Sequence, residues 1–256
     1  MGSPLLSAAW WFPELQKGRE PLDNFFDALH QWAPTHRFRD TVGTTHNNLL
    51  GLLPVVQQSK LRFVQASPGG IEEITADKAV QKRIFNSGGE GIFLGQPRTQ
   101  LDGIFDTSYL LTARFVSPQI VEWNLESFEL ALPPLINETP RTALGNLRKL
   151  EHVALERLKS SSSLLRNDEA RAEDLRNALI DLDQKLCESD YLLYPKSVNN
   201  NYLQLLSAAD HVMAIVDIVQ TRAPHTESTL RPLIRAAQNA RSAAWCEWMF
   251  TTSARS

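Results

Sequence analysis

The pattern of apolar and polar positions is clearest between residues 201 and 221, where it predicts a long buried helix. Polar side chains recur there at steps of three, three, seven and four and would form one stripe on a helix: Gln204, Ser207, Asp210, Asp217 and Thr221. Aliphatic side chains fill most other positions. Because each buried aliphatic side chain contributes about 1.5–3 kcal/mol, other elements must surround this helix. We therefore place it at the centre of a helical bundle.

Three further helical patterns flank this stretch. Residues 140–159 begin at Thr139 and Pro140, a favourable N-cap followed by proline in the first turn. Residues 168–186 carry apolar side chains at alternating steps of three and four, and residues 229–250 place Trp245 and Trp248 on an apolar face. The pattern predicts an antiparallel four-helix bundle in which the first two helices form a hairpin.

The chain before residue 133 has a different pattern, with short runs rich in β-branched and aromatic residues between glycine and proline breaks. The predicted strands are residues 61–65, 71–75, 91–95, 104–116 and 120–132. In the last one the apolar side chains move from odd-numbered to even-numbered positions near Glu126 and Ser127, which predicts a β-bulge or a tight turn. We interpret the polar stretch 35–48 as a loop and the glycine-rich stretch 86–91 as a hairpin loop. An amphipathic helix begins at Pro21.

These patterns divide the chain at the proline pair 133–134. The predicted fold class is α+β. Residues 1–138 form a small antiparallel or mixed sheet with one or two helices, and residues 139–256 form the four-helix bundle.

Composition narrows the function classes only slightly. Hydrophobic residues make up 43% of the chain and charged residues 21%, as in ordinary globular proteins. The net charge is −3, and neither half has the strong positive charge typical of a general nucleic-acid binder. The two cysteines suit a reducing compartment. Without a basic leader or an uncharged run of about 18 apolar residues, we expect a cytoplasmic protein with no transmembrane span.

The candidate binding residues are mainly aromatic. Trp10, Trp11 and Phe12 stand side by side near the N-terminus, where they could be a terminal arm packed on the core or a plug for a partner. Together with Trp245 and Trp248 they favour a non-catalytic structural subunit. It would dock into a larger assembly, or self-associate, through its helical hairpin and aromatic arm. The histidines and cysteines match no metal spacing, and we expect no cofactor.

Two alternatives use polar residues. Arg231 and Arg235 on the last helix, with Arg37 and Arg39 in the polar stretch, could contact nucleic-acid phosphates. Arg148 and His152 lie four residues apart on a predicted helix. That pair resembles the Arg and His of HEPN-type ribonucleases, although its spacing is shorter. The resemblance implies a ribonuclease as a third hypothesis.

Overall fold

A computed structural model of the chain has the α+β fold class that the sequence predicts. It describes residues 3–66, 74–97, 105–128, 133, 139–161, 168–190, 192–222 and 227–253. The chain divides into two compact units. The sheet unit comprises residues 3–135 with 193–197, and the helical unit comprises residues 1–2, 136–192 and 198–256. The division into domains at residue 138 stays a prediction.

The sheet unit contains a six-stranded mixed sheet in the order β2-β1-β6-β5-β4-β3. The pairs β3–β4, β4–β5 and β5–β6 are antiparallel, whereas β1 pairs parallel with β6. The strands are β1 (Thr35–Arg39), β2 (Thr45–His46), β3 (Lys60–Gln65), β4 (Glu90–Pro97), β5 (Phe105–Ser117) and β6 (Ile120–Phe128). The predicted small mixed sheet is therefore confirmed, although residues 74 and 75 of the predicted strand 71–75 are not in a strand and residues 71–73 lie outside the described residues.

Helices cover the two faces of this sheet unequally. They are α1 (Pro4–Gln16), α2 (Leu22–His30), α3 (Leu53–Gln58), which follows a short 3-10 helix at Leu50–Leu52, and α4 (Lys78–Asn86). On one face α1 packs across β3, β4 and β5, and α2 bonds to β1. On the other face α4 covers only part of the sheet, in a cluster with Val64, Phe93 and Leu110. The remaining half of that face carries the polar side chains of β1, β5 and β6.

Four sequence expectations for the sheet unit are corrected. The unit holds four α-helices within its described residues, where one or two were predicted. The N-terminal aromatic segment is not an arm but the buried helix α1, whose N-cap Ser3 accepts a hydrogen bond from the Leu6 amide at 2.9 Å. The predicted loop 35–48 contains β1 and β2. The glycine-rich stretch connects α4 to β4 instead of closing a hairpin.

The parity change in β6 has a different cause from the predicted bulge. Register with β5 runs unbroken from Glu126 to Phe128, and the shift between these two strands lies instead at Phe115 to Ser117. Val121, Trp123 and Leu125 face the layer of α1 and α2, whereas Phe128 lies on the opposite face and packs against the cluster under α4. Because α4 buries that end of the second face, an apolar residue is favoured there without any offset.

Four long helices form the described part of the helical unit. They are α5 (Pro140–Ser161), α6 (Asp168–Asp190), α7 (Asn200–Arg222) and α8 (Glu227–Ser253). The helix α7 packs against the other three, and α5 also packs against α8. The helix α6 packs more extensively against α7 than it does against α5. A hairpin of α5 and α6 is therefore not the main packing of this unit.

The helix α7 has an apolar side-chain set and one buried ion pair. By length and composition its residues Asn200–Thr221 could cross a membrane, but 61% of that window is buried inside the protein, as in the core helix of a globular domain. Asp210, part of the predicted polar stripe, is 5% exposed and pairs with Arg241 of α8. The predicted polar stripe is therefore not exposed along its whole length, because Asp210 is buried.

Candidate functional site

The half of the sheet that α4 leaves open carries a polar concave surface. A groove of about 380 Å³ lies there. Three arginines line it (Arg39, Arg83, Arg114), with two carboxylates (Asp40, Glu126) and five neutral polar residues (Thr41, Asn86, Ser87, Thr112, Asn124). We call this surface the arginine groove.

The strand register explains why these side chains share one face. Arg114 of β5 lies opposite Glu122 of β6, and Arg39 of β1 lies beside Asn124. Directly paired residues point to the same side of a sheet, and side chains alternate along each strand. The alternate residues Phe38 and Trp123 are buried against the helices of the other face. The same alternation therefore builds the core and the groove.

A buried carboxylate joins two of the arginines. The Glu122 side chain is 10% exposed and accepts hydrogen bonds from Nε and Nη2 of Arg114 at 3.3 and 2.8 Å. Its second oxygen lies 3.6 Å from Nη2 of Arg39. The Arg114 hydrogen bond lowers the pKa of Glu122 below its ordinary value, against the opposing effect of burial. Glu122 is consequently a fixed negative charge at neutral pH that orders two partly exposed guanidinium groups.

The third arginine reaches the groove from α4. Nε of Arg83 lies 3.0 Å from Oε2 of Glu126, and the two side chains are 54% and 34% exposed. Exposed ion pairs of this kind contribute only about 0.2–1 kcal/mol to stability. The Arg83–Glu126 pair is therefore easy to separate compared with the contacts of Glu122.

The turn between β1 and β2 forms one wall of the groove. Oδ1 of Asp40 accepts hydrogen bonds from the amides of Val42 and Thr44, and Oδ2 lies 3.0 Å from Nε2 of His46. The hydrogen bond with His46 is the largest cause that lowers the pKa of Asp40. Since its oxygens are engaged by the turn, Asp40 acts mainly in the structure of this wall.

The opposite wall is the end of α4 and the turn that follows it. Ser87 Oγ lies 2.9 and 2.6 Å from the carbonyl oxygens of Ile84 and Glu90, which share its one hydroxyl proton. Gly88 and Gly89 have φ angles of +79° and +86°, a region that favours glycine. A Cβ at Gly89 would lie 2.3 Å from the carbonyl oxygen of Ala66. The glycine-rich stretch therefore positions Asn86 and Ser87 at the groove.

The arrangement suits binding of a negatively charged group. Each guanidinium carries five N–H donors in a planar fork, and the contacts with Glu122 use two of those of Arg114. The neutral hydroxyl and amide groups of the lining add hydrogen-bonding capacity. Within the described ranges, no three or more His, Cys, Asp or Glu residues form a group that could hold a metal ion.

The aromatic residues proposed for partner binding are all in the core of the described structure. Trp10, Phe12 and Trp245 are 0% exposed, Trp248 is 1% exposed and Trp11 is 4% exposed. Nε1 of Trp11 donates a hydrogen bond to the carbonyl of Leu193, and Trp10 meets Tyr194 edge to face. These side chains stabilise the fold and present no surface in this conformation.

The predicted basic residues fall into two separate groups. Arg37 and Arg39 lie exposed on β1, on the open half of the sheet, whereas Arg231 and Arg235 are exposed on α8 in the helical unit. Gln238 and Ser242 continue the helix face of Arg231 and Arg235 at steps of three and four, but they are buried.

The residues of the ribonuclease hypothesis lie on α5. Arg148 and His152 are both exposed there. The adjacent residue Glu151 pairs with His211 of α7, with Oε1 of Glu151 3.1 Å from Nδ1 of His211.

Sequence reasoning missed most of the groove. It named Arg39 as a candidate site residue but not Arg83, Arg114, Glu122 or Glu126, because these residues come from three elements that only the sheet pairing brings together. A usable signal was the period-two pattern of residues 35–39, in which His36 and Phe38 are buried and Arg37 and Arg39 are exposed. Five polar-rich residues with that alternation indicate a half-buried strand.

Residues 6–135 match the family model described as the Rv1486c-like protein, N-terminal domain. This match covers just over half of the chain, so the chain belongs to the Rv1486c-like family. No curated protein and no solved structure matches the chain. The matched residues contain all six strands and the whole arginine groove.

Proposed function

We propose that this member of the Rv1486c-like family is a non-catalytic protein–protein interaction subunit of a larger assembly, and that its partner docks on the arginine groove. The observation that carries the proposal is the gathering of Arg39, Arg83 and Arg114 around a cavity of about 380 Å³ on the open half of the sheet. Arginine is enriched at protein interfaces because its planar fork binds carboxylates with defined geometry. In this proposal the groove replaces the N-terminal aromatic segment, which is the buried helix α1, as the docking surface.

The helical unit has a supporting role in this proposal. We propose that α5 to α8 form the predicted antiparallel four-helix bundle, which scaffolds the assembly. The packing of α7 against the other three helices supports this arrangement. Exposed apolar side chains on α5 and α6, namely Val153, Leu179 and Ile180, offer a second contact surface for another subunit or a second copy. A cytoplasmic location is part of the proposal, supported by two free cysteines.

Affinity purification from the native source tests the docking surface. The tagged wild-type chain is compared with an Arg39→Gln/Arg114→Gln variant, and an Arg231→Gln/Arg235→Gln variant serves as the control for loss of two exposed arginines elsewhere. We expect the groove variant to lose a stoichiometric protein partner that the wild type and the control retain. A strictly monomeric wild type that purifies alone, by light scattering and mass spectrometry, would refute the proposal.

Nucleic-acid binding is the second candidate function, favoured by the position of Arg37 beside the groove. Its strand register places Arg37 opposite Glu122, so four arginines lie on or beside one half of the sheet. Phosphate contacts would make binding fall steeply with salt. Anisotropy titrations with a labelled oligonucleotide at several salt concentrations test this candidate. Binding that is absent, or indifferent to salt and to Arg37→Gln/Arg39→Gln, would remove it.

A further inference from the structure

We infer that the arginine groove is a carboxylate-binding site for an acidic segment of the partner, and that Glu126 competes with that segment for Arg83. The inference rests on the proposed function, because it names the chemistry that the docked partner presents. Its first support is that the chain's own carboxylates already occupy these arginines. Arg39 and Arg114 meet Glu122, and Arg83 meets Glu126.

The two carboxylates differ in how firmly they are held. Glu122 is nine-tenths buried below the groove and is held by Arg114 through two hydrogen bonds. Glu126 lies at the groove surface, one-third exposed, and its arginine partner among the described residues, Arg83, is itself half exposed. An incoming anion can therefore replace Glu126 at Arg83, whereas Glu122 stays and orders the other two guanidinium groups.

The charges of the groove favour a carboxylate over a phosphate. Asp40 and Glu126 are part of the lining, and Glu122 lies beneath it, so the three arginines face three carboxylates. A phosphate dianion would meet strong repulsion from these neighbours. A carboxylate replaces Glu126 one charge for one, and its planar shape matches the guanidinium fork. Thr112, Asn124 and Ser87 can hydrogen-bond to the backbone of the segment that carries it.

A double-mutant cycle with the full chain tests the competition. The probe is a fluorescein-labelled hexaglutamate peptide, read by anisotropy at fixed ionic strength, with a hexaglutamine peptide as the uncharged control. We expect Arg83→Gln and Arg114→Gln to weaken binding of the hexaglutamate, and Glu126→Gln to tighten it about 2–5-fold, the value of an exposed ion pair. In the Arg83→Gln background Glu126→Gln should give no gain. Glu173→Gln, an exposed change on α6, should leave the affinity unchanged.

Each other outcome contradicts a defined part of the inference. A gain from Glu126→Gln that persists without Arg83 would mean that Glu126 acts through its charge alone, and the competition would be refuted. Tighter binding of a hexaphosphoserine peptide or an oligonucleotide than of hexaglutamate would refute the carboxylate class. If hexaglutamate fails to bind while Arg39→Gln/Arg114→Gln still loses its native partner, this inference fails and the proposed function stands.

Discussion

At the scale of single residues, His36 shows how a buried polar contact fixes a protonation state. The indole N–H of Trp123 can only donate, and it lies 2.9 Å from Nδ1 of His36, so that nitrogen must accept. Nε2 then carries the proton and donates it to the carbonyl of Leu29 at 3.0 Å. A second proton on Nδ1 would oppose the indole N–H. Burial is the largest cause that lowers the pKa of His36 below its ordinary value.

This geometry predicts a loss of stability in mild acid. Above pH 6.5 His36 is neutral in both states and its contacts contribute fully, whereas below that pH the unfolded chain binds a proton that the folded chain resists. The free energy of unfolding should then fall by up to about 1.4 kcal/mol per pH unit until the folded histidine protonates. Urea unfolding between pH 8 and 5 measures this slope. The His36→Gln variant should lack the part of the slope that His36 contributes, and His152→Gln, an exposed change on α5, is the control. Equal slopes in wild type and His36→Gln would contradict the assignment.

A second residue-scale prediction concerns the ion pair between Asp210 and Arg241, which are 5% and 3% exposed. Removing one partner of a buried pair leaves an uncompensated charge and costs about 3–5 kcal/mol. Asp210→Ala should therefore lower the free energy of unfolding by that amount. The matched control is Asp217→Ala, which breaks the ion pair between Asp217 and Lys185. These two side chains are 49% and 30% exposed, so Asp217→Ala should lower the free energy of unfolding by less than about 1 kcal/mol. Similar losses in chemical denaturation would contradict the distinction.

At the scale of elements, the turn from α4 to β4 is set by its two glycines. Gly88 and Gly89 both have positive φ, but only at Gly89 would a Cβ overlap the Ala66 carbonyl. Gly88→Ala should cost about 1–2 kcal/mol from the backbone alone. Gly89→Ala should cost a further 1–3 kcal/mol or so, because the backbone at Ala66, directly after β3, must move. Thermal unfolding of the two variants measures the difference. Equal melting temperatures would show that the Ala66 backbone moves away without a cost in stability.

The elements also show how far the sequence could predict this molecule. The helices α5 to α8 were predicted within a few residues of their ends, because long periodic patterns and N-caps are local signals. Strand β1 was missed although its alternation was a local signal, because five polar-rich residues are weak evidence without the parallel pairing with β6, which lies about eighty residues away in sequence. The helix α1 was mistaken for an arm since it is buried on nearly every side and shows no amphipathic face.

For the whole molecule, the candidate site was less predictable than the fold, for a physical reason. Helical faces follow from residues three and four apart, whereas the arginine groove depends on register between β1, β6 and β5 and on the placement of α4. Glu126 and Arg83 are more than forty residues apart, yet their side chains meet at 3.0 Å. Only the paired sheet brings such residues together, so composition and spacing could name Arg39 without its partners.

The sheet unit is also not a continuous stretch of chain, because residues 193–197 belong to it. The Leu193 carbonyl accepts from Trp11 at 3.1 Å, the Leu193 amide donates to Gln31 at 3.0 Å, and the Lys196 amide donates to Glu20 at 3.2 Å. Tyr194 packs edge to face against Trp10, with ring centroids 6.0 Å apart. The segment therefore completes the layer formed by α1 and α2, although it lies far beyond residue 135, where the family match ends.

This contact predicts that a fragment ending at residue 138 is weaker than the same unit in the full chain. Loss of the aromatic contact and of the Trp11 hydrogen bond should cost about 1–3 kcal/mol. Tyr194→Ala in the full chain should cost a similar amount, because it removes the largest side chain that the segment adds. The control is Lys196→Ala, which keeps the backbone hydrogen bond to Glu20. Hydrogen exchange of α1 amides reports on this layer alone. Unchanged exchange in the fragment and in Tyr194→Ala would mean that α1 and α2 hold the sheet without residues 193–197.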